Sequence, residues 1–232
     1  MFPSLICAQV EDNPDTGRSP YELMSSYYSN NFKPFRKGNF YTGLSFSLSD
    51  KSLTNVDQII QKVITGDNTG FNMTLKGGYN TGDYGMAGIN FTYEEEKFNG
   101  MLLKDSDTIH SQSITRAYSF TPNVRSSVPL TENERLSFFT EVGLLLGVSN
   151  GLTRNTKNVD EIEKIYNDNF NLRLGISPGI TFFAMENFAF EVQLDVLGYE
   201  LQVKNKEING IEQSKEVRHN AVSYTHLRAH ET

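Results

Sequence analysis

From Asn39 onward, apolar side chains recur at every second position in seven stretches, the period of a β-strand rather than of a helix. In Asn39–Ser49, Phe40, Thr42, Leu44, Phe46 and Leu48 share one face, while Tyr41, Gly43, Ser45 and Ser47 share the other. Gly70–Tyr79 sets Phe71, Met73, Leu75 and Tyr79 against Asn72, Thr74, Lys76 and Gly78. Tyr84–Glu94 sets Ala87, Ile89, Phe91 and Tyr93 against Met86, Gly88, Asn90 and Thr92. Ser113–Val128 is the least regular, because Pro122 interrupts it and central strands disfavour proline. Leu136–Val148 and Phe170–Phe182 alternate strongly. Phe188–Val203 opens with Phe188, Phe190, Val192, Leu194 and Val196 against Ala189, Glu191, Gln193 and Asp195.

The connections alternate in length. Asn80–Asp83, Leu130–Glu134 and Ala184–Asn187 read as tight turns, whereas Asp50–Thr69, Glu95–Gln112, Ser149–Asn169 and Lys204–Asn220 read as long loops. Inside the first long loop, Val56–Ile64 suits either a short helix or a strand extension. Long loops at one end and tight turns at the other predict an all-β, antiparallel up-and-down transmembrane β-barrel, with the tight turns periplasmic. Bacterial barrels of this kind close on an even number of strands, since an open edge in lipid leaves backbone groups unpaired. With about seven strands readable, eight are expected, and the last should follow Asn220.

The second face of each strand is rich in Gly, Ser, Asn and Thr, which suits a narrow interior better than a solvated exterior. Six charged residues are expected on it: Lys76, Arg125, Glu141, Arg173, Glu191 and Asp195. Paired, they would fill the interior, as charges withdrawn from water must be paired. Aromatic residues gather near the tight turns: Phe40, Tyr79, Tyr84, Phe138, Phe182 and Phe188. That clustering predicts an interfacial girdle.

Composition narrows the alternatives. Mean hydropathy is −0.43 and no apolar run approaches the ~18 residues of a transmembrane helix. The net charge of −7 argues against nucleic acid as a partner. A single cysteine, Cys7, excludes an internal disulfide framework. Sixteen Phe and eleven Tyr suit pleated β-faces. The chain divides into a signal-peptide remnant and flexible lead-in over 1–20, a barrel over 21–221, and a tail over 222–232. Phe2–Ile6 and the small residues after it read as the end of a secretory signal, cleaved after Ala8. The tail, VSYTHLRAHET, resembles the translation of a sequencing-library adapter, so the pair His226 and His230 is not read as a metal site.

KGNFYTGLSFS, FNMTLKGGYNTGDYGMAGINFTY, LSFFTEVGLLLG and LRLGISPGITFFAMENFAFEVQLDVLGYE together resemble the small outer-membrane barrels of the OmpX and OmpA-barrel type, over most of Lys37–Glu200. The resemblance implies an outer-membrane location and a monomer in lipid. It does not extend to a closing strand that ends in an aromatic residue.

No arrangement of side chains points to catalysis, a metal or a cofactor. His110 and His219 lie in stretches read as loops, without a recognisable partner. Asp105, Asp107, Asp160, Glu161 and Glu163 read as solvated acidic loops rather than a cation site, and Gly77-Gly78 lacks any phosphate-loop context. The expected role is structural or surface-binding, through the long loops and an unidentified extracellular partner. A narrow channel for ions or small solutes is the second reading, and a lipid- or peptide-processing enzyme the third.

Overall fold

The structure is a computed structural model that describes residues 4–7, 32–57, 62–104, 107–158, 161–185 and 187–223. Every regular element among them is a strand: β1 (Ser4–Cys7), β2 (Phe40–Asp57), β3 (Lys62–Gly82), β4 (Gly85–Lys104), β5 (Asp107–Pro129), β6 (Leu136–Asn158), β7 (Glu161–Met185), β8 (Phe188–Gln193), β9 (Leu197–Ile208) and β10 (Ile211–Ser223). From β2 to β10 the chain makes one antiparallel up-and-down sheet of nine strands, each consecutive pair through β7 joined as neighbours. β7 pairs with β8 through Gly179–Met185 and with β9 through Ile165–Ile176, so β8 and β9 follow one another along the same edge. The two ends of the sheet, β2 and β10, share no ladder with each other, so the nine strands do not close into the barrel that the sequence predicts. The bridge between the sheet's sides is β1, which pairs with β8 through all four residues and with β2 at Leu5↔Leu44.

Much of what the sequence suggests as long loop is strand. β2 and β3 stay paired out to Asp57↔Lys62, so Val56–Ile64 is a strand extension where it is described, with 58–61 outside the described residues. The next two hairpins are paired to Lys104↔Asp107 and to Asn158↔Glu161. The stretch Lys204–Asn220, expected to be a loop, is a hairpin that turns at Asn209-Gly210. Its second arm, β10, is a strand not expected in that stretch. Val222 and Ser223, set aside with the tail, pair with Gly198 and Leu197, while 224–232 lies outside the described residues. At the other end of the chain, Ser4–Cys7 is a paired strand although its composition suggests a signal remnant. His110 and His219 accordingly sit in strands β5 and β10.

Two irregularities have a common origin in proline. The β5–β6 ladder omits Thr121 and Pro122, between Phe120↔Leu146 and Asn123↔Gly143. Between β8 and β9 the register slips by one residue, opposite Pro178. There the backbone N–H groups of Leu194 and Val196 still reach the carbonyls of Pro178 and Ile176. A proline has no N–H to give the ladder, so pairing is relaxed beside it. The slip reverses alternation: Leu194 and Leu197 are both exposed, and Val196 is turned partly inward, against the expectation that it continues the Phe188 face.

The burial pattern is inverted relative to a water-soluble sheet. Leu48 (68% exposed), Phe40, Phe46, Leu75, Phe120, Leu144 and Leu174 face outward, while Asn80, Ser127, Ser137, Arg125, Glu141 and Glu191 are buried. The sheet curls around its polar face. The tight-turn end is filled by Phe139 (0% exposed), Met86 and Phe183, and residues 32–39 cover it from below. Phe32 packs edge-on to Phe183 at 5.2 Å between ring centres, with Ala189 beside them and Phe35 against Phe183 at 5.6 Å. The Arg135 guanidinium stacks 4.7 Å over Phe32. Backbone bonds from Gly38 N to Asn80 O and from Tyr84 N to Phe35 O tie this segment to the turn between β3 and β4.

Candidate functional site

Five strands each send one polar side chain into the curl at a single level: Tyr41 from β2, Lys76 from β3, Arg125 from β5, Glu141 from β6 and Glu191 from β8. Their spacing follows from strand alternation, because each sits on the Gly/Ser face of its own strand. Arg125 donates to Glu141 Oε2 from Nε (3.1 Å) and Nη2 (2.7 Å), and also pairs with both oxygens of Glu191. Glu191 further accepts from the Tyr41 hydroxyl at 3.0 Å, from Lys76 Nζ at 3.4 Å and from Thr181 Oγ1 at 3.2 Å. Lys76 donates to Gln193 at 2.8 Å, and Asn90 donates to Glu141 at 3.3 Å. Two cations therefore meet two carboxylates, and the cluster is neutral. Side-chain exposure of Lys76, Arg125, Glu141 and Glu191 runs from 9% down to 1%. Charges this far from water are tolerable only when paired and hydrogen-bonded, and each of these is.

The Arg125 guanidinium also lies over two rings, 4.0 Å from the centre of Phe139 and 5.1 Å from that of Tyr41. Phe139 fits because Gly179 leaves room for it: a Cβ at Gly179 would run into the Phe139 ring and the Val192 carbonyl. Above the cluster, towards the long hairpins, lies a polar cavity of about 360 Å³ lined by residues of β2 through β8. Here Arg173 and Asp195 make a second, looser pair at 3.5 Å, and Ser177 donates to Asp195 at 2.6 Å. The six charged residues expected on the inner face fall into two groups, with the Asp195 side chain 55% exposed beside the register slip. The cavity lining holds neither His nor Cys.

Of the expected girdle, Phe40, Tyr79, Phe138 and Phe182 face outward near the tight turns, Phe40 and Tyr79 in contact at 5.2 Å. Phe188 packs on Phe190 at 5.0 Å. Tyr84 lies within the turn itself, its hydroxyl on Glu134 at 2.9 Å and its ring against Phe35. A second aromatic row, not anticipated, borders the far side: Phe71, Tyr93 and Tyr118, 6.2 and 5.2 Å apart in succession. The alternation carried the signal for it, since each ends a run of apolar positions followed by charged or polar ones. Directly beyond it, Glu95 bridges Lys97 (2.5 Å) and Arg116 (2.7 Å) and accepts from Tyr93. Lys97 and Arg116 hold its carboxyl down at about 2.

Tyr41 and Phe139, the large exceptions on the small-residue face, and the covering residues Phe32, Phe35 and Arg135 were not anticipated either. Among the acidic residues considered for a cation, Asp107 pairs with Lys157 at 2.6 Å and Glu163 accepts from Asn155 at 3.0 Å. Asp105 and Asp160 lie outside the described residues. His219 meets the Tyr199 hydroxyl at 2.8 Å. No protein-family model, no curated protein and no solved structure matches this chain.

Proposed function

We propose that this chain is an outer-membrane β-barrel whose role lies at the cell surface, carried by its long hairpins, with no catalytic step. The observation that carries the reading is the inversion of polarity between two aromatic rows. Between Phe71 and Tyr79, nine residues of β3 present Phe71, Met73, Leu75 and Tyr79 outward. At about 3.3 Å per residue and a tilt of about 40°, that stretch spans roughly 23 Å, close to the ~25 Å apolar band of outer-membrane barrels. Water offers no reason to expose such a band while burying Arg125 and Glu191; hydrocarbon does.

The register supports the same reading. Followed from Leu44 through Leu75, Phe91, Phe120, Leu146, Leu172 and Leu201, then compared with the return through Leu5 and Phe190, the ladders are displaced by about ten residues. For eight strands a stagger of that size corresponds to a tilt of about 40°, within the range of closed barrels. Strands β3 to β7 are 20 to 25 residues long, about twice what a membrane crossing needs. The surplus lies on the side opposite the tight turns, as paired ribbon.

The packed end argues against the channel reading: Phe32, Phe183 and Phe139 lie in series beneath the Arg125 cluster. The test is refolding into lipid vesicles followed by gel electrophoresis with and without boiling. Barrel insertion gives a mobility change on boiling and protease-resistant spanning segments. A chain that stays in the aqueous phase with full β-structure overturns the proposal.

A further inference from the structure

The segment that covers the tight-turn end carries three exposed cations, Lys33, Arg36 and Lys37, in a chain whose net charge is −7. They line a groove of about 360 Å³ together with the rings of Phe35 and Tyr84, 6.1 Å apart, and the carboxylates of Asp83 and Glu134. Neither carboxylate forms an ion pair with them. Asp83 instead accepts the backbone N–H of Lys37 at 3.3 Å, and Glu134 accepts the Tyr84 hydroxyl at 2.9 Å. Among the described residues, none of the three cationic side chains has an ion-pair or hydrogen-bond partner. The groove is nevertheless fixed in shape. Backbone bonds from Gly38 N to Asn80 O and from Tyr84 N to Phe35 O hold one wall against the other. Tyr84 and Glu134 both take positive φ, 66° and 54°, a conformation that a residue with a side chain keeps only where its surroundings impose it.

We propose that this groove binds the phosphate headgroup of an anionic phospholipid, in the leaflet nearest the tight turns. The inference rests on the barrel reading and adds a ligand to it. Lys37 precedes Phe40 by three residues, at most about 11 Å of chain. Gly38 bonds to Asn80, the neighbour of Tyr79. Phe40 and Tyr79 face outward in contact, so the cations stand just past the edge of the apolar band. Lipid headgroups occupy that depth, in a layer of about 5–8 Å on each side of the hydrocarbon. The Arg36 guanidinium and two ammonium groups are the donors that a phosphate takes, and clustered Lys and Arg beside a bilayer attract anionic lipid. A soluble anion would meet the same cations. The groove's aromatic wall, continuous with the outward-facing row, favours the lipid.

Native mass spectrometry tests this on the full chain, refolded in vesicles and extracted into mild detergent with equal amounts of phosphatidylglycerol and phosphatidylcholine of identical acyl chains. Phosphatidylglycerol should be retained over phosphatidylcholine by about fivefold or more. Combining Lys33→Gln, Arg36→Gln and Lys37→Gln should bring that preference below about twofold. Lys204→Gln, Lys206→Gln and Lys215→Gln together remove the same charge from the β9–β10 hairpin and should leave the preference intact. On the unsubstituted chain the preference should fall severalfold as ammonium acetate is raised, because salt screens exposed charges. Inorganic phosphate in excess should not displace the lipid; displacement with no choice between the two lipids identifies a site for free anions and overturns the inference. Boiling-sensitive mobility checks that each chain has inserted. Inserted protein that retains both lipids equally, a triple variant at 33, 36 and 37 that keeps the preference, or a preference indifferent to salt also overturns it, and the barrel reading stands. An unsubstituted chain that fails to insert overturns both.

Discussion

Arg125 holds the interior together, since it touches both buried carboxylates, Glu141 and Glu191, and the rings of Tyr41 and Phe139. Arg125→Met would leave Glu141 and Glu191 close together without the guanidinium that pairs with both, Lys76 still pairing with Glu191. The expected loss is on the order of 3–5 kcal/mol, read as a lower urea midpoint in vesicles. Tyr41→Phe removes one hydroxyl from Glu191 and should cost only about 1 kcal/mol; equal midpoints for the two variants would sink this ranking. Glu95 gives a pH prediction outside the apolar band. Its folded value, about 2, lies below the ordinary ~4.3 of an unpaired glutamate. The stabilisation is therefore complete above that ordinary value and disappears as pH falls toward 2. Carboxyl carbon NMR should show Glu95 ionised at pH 3, and Arg116→Ala should raise its midpoint; a wild-type midpoint above 4 contradicts the bridge. At this scale the sequence was informative about which charges face inward, because alternation alone assigns Lys76, Arg125 and Glu191 to the small-residue face. It did not reveal the partners, nor that Tyr41 and Phe139 stack on one guanidinium, since those contacts depend on how far the sheet curls.

Among the elements, legibility follows polarity. Where one face is apolar and the other small and polar, as in Leu136–Val148, period-two alternation is strong and the strand is legible. Past the aromatic rows both faces are polar, so Thr153–Asn158 or Lys204–Ile208 carry no such period and pass for loops, although they are paired to the end. The β9–β10 hairpin does carry a turn signature in the sequence, Asn209-Gly210. Asn209 and Gly210 both have positive φ, 52° and 81°, which is the two-residue turn that Asn-Gly favours. Gly210→Val should therefore loosen this hairpin specifically, seen as faster amide exchange in β10 with β5 unaffected. Gly179 is a different case, required for space rather than for turning. Gly179→Ala pushes against Phe139 and the Val192 carbonyl and should cost about 1–3 kcal/mol, whereas Gly82→Ala, with open space around it, should be near neutral. Similar urea midpoints for those two variants would show that the Phe139 packing is looser than it looks.

For the whole molecule, the packed end gives the sharpest expectation. Planar-bilayer recordings of the refolded chain should show no steady ion conductance, because three aromatic side chains and the Arg125 cluster stand in series. A stable open level would revive the channel reading. On intact cells, added protease should cut the hairpins beyond Phe71, Tyr93 and Tyr118 and spare the strands between the two rows. From the sequence alone came the all-β class, the up-and-down order, which face is polar and which end carries the long connections. All of these rest on local periodicity and on turn composition, which neighbouring residues determine. Only the tertiary structure decided that the apparent last loop is a strand, that Phe32 and Phe35 cover the tight-turn end, and that Ser4–Cys7 pairs with β8. Backbone pairing is indifferent to side-chain identity, and a contact across 150 residues, such as Tyr41 with Glu191, depends on curvature that accumulates over the entire sheet.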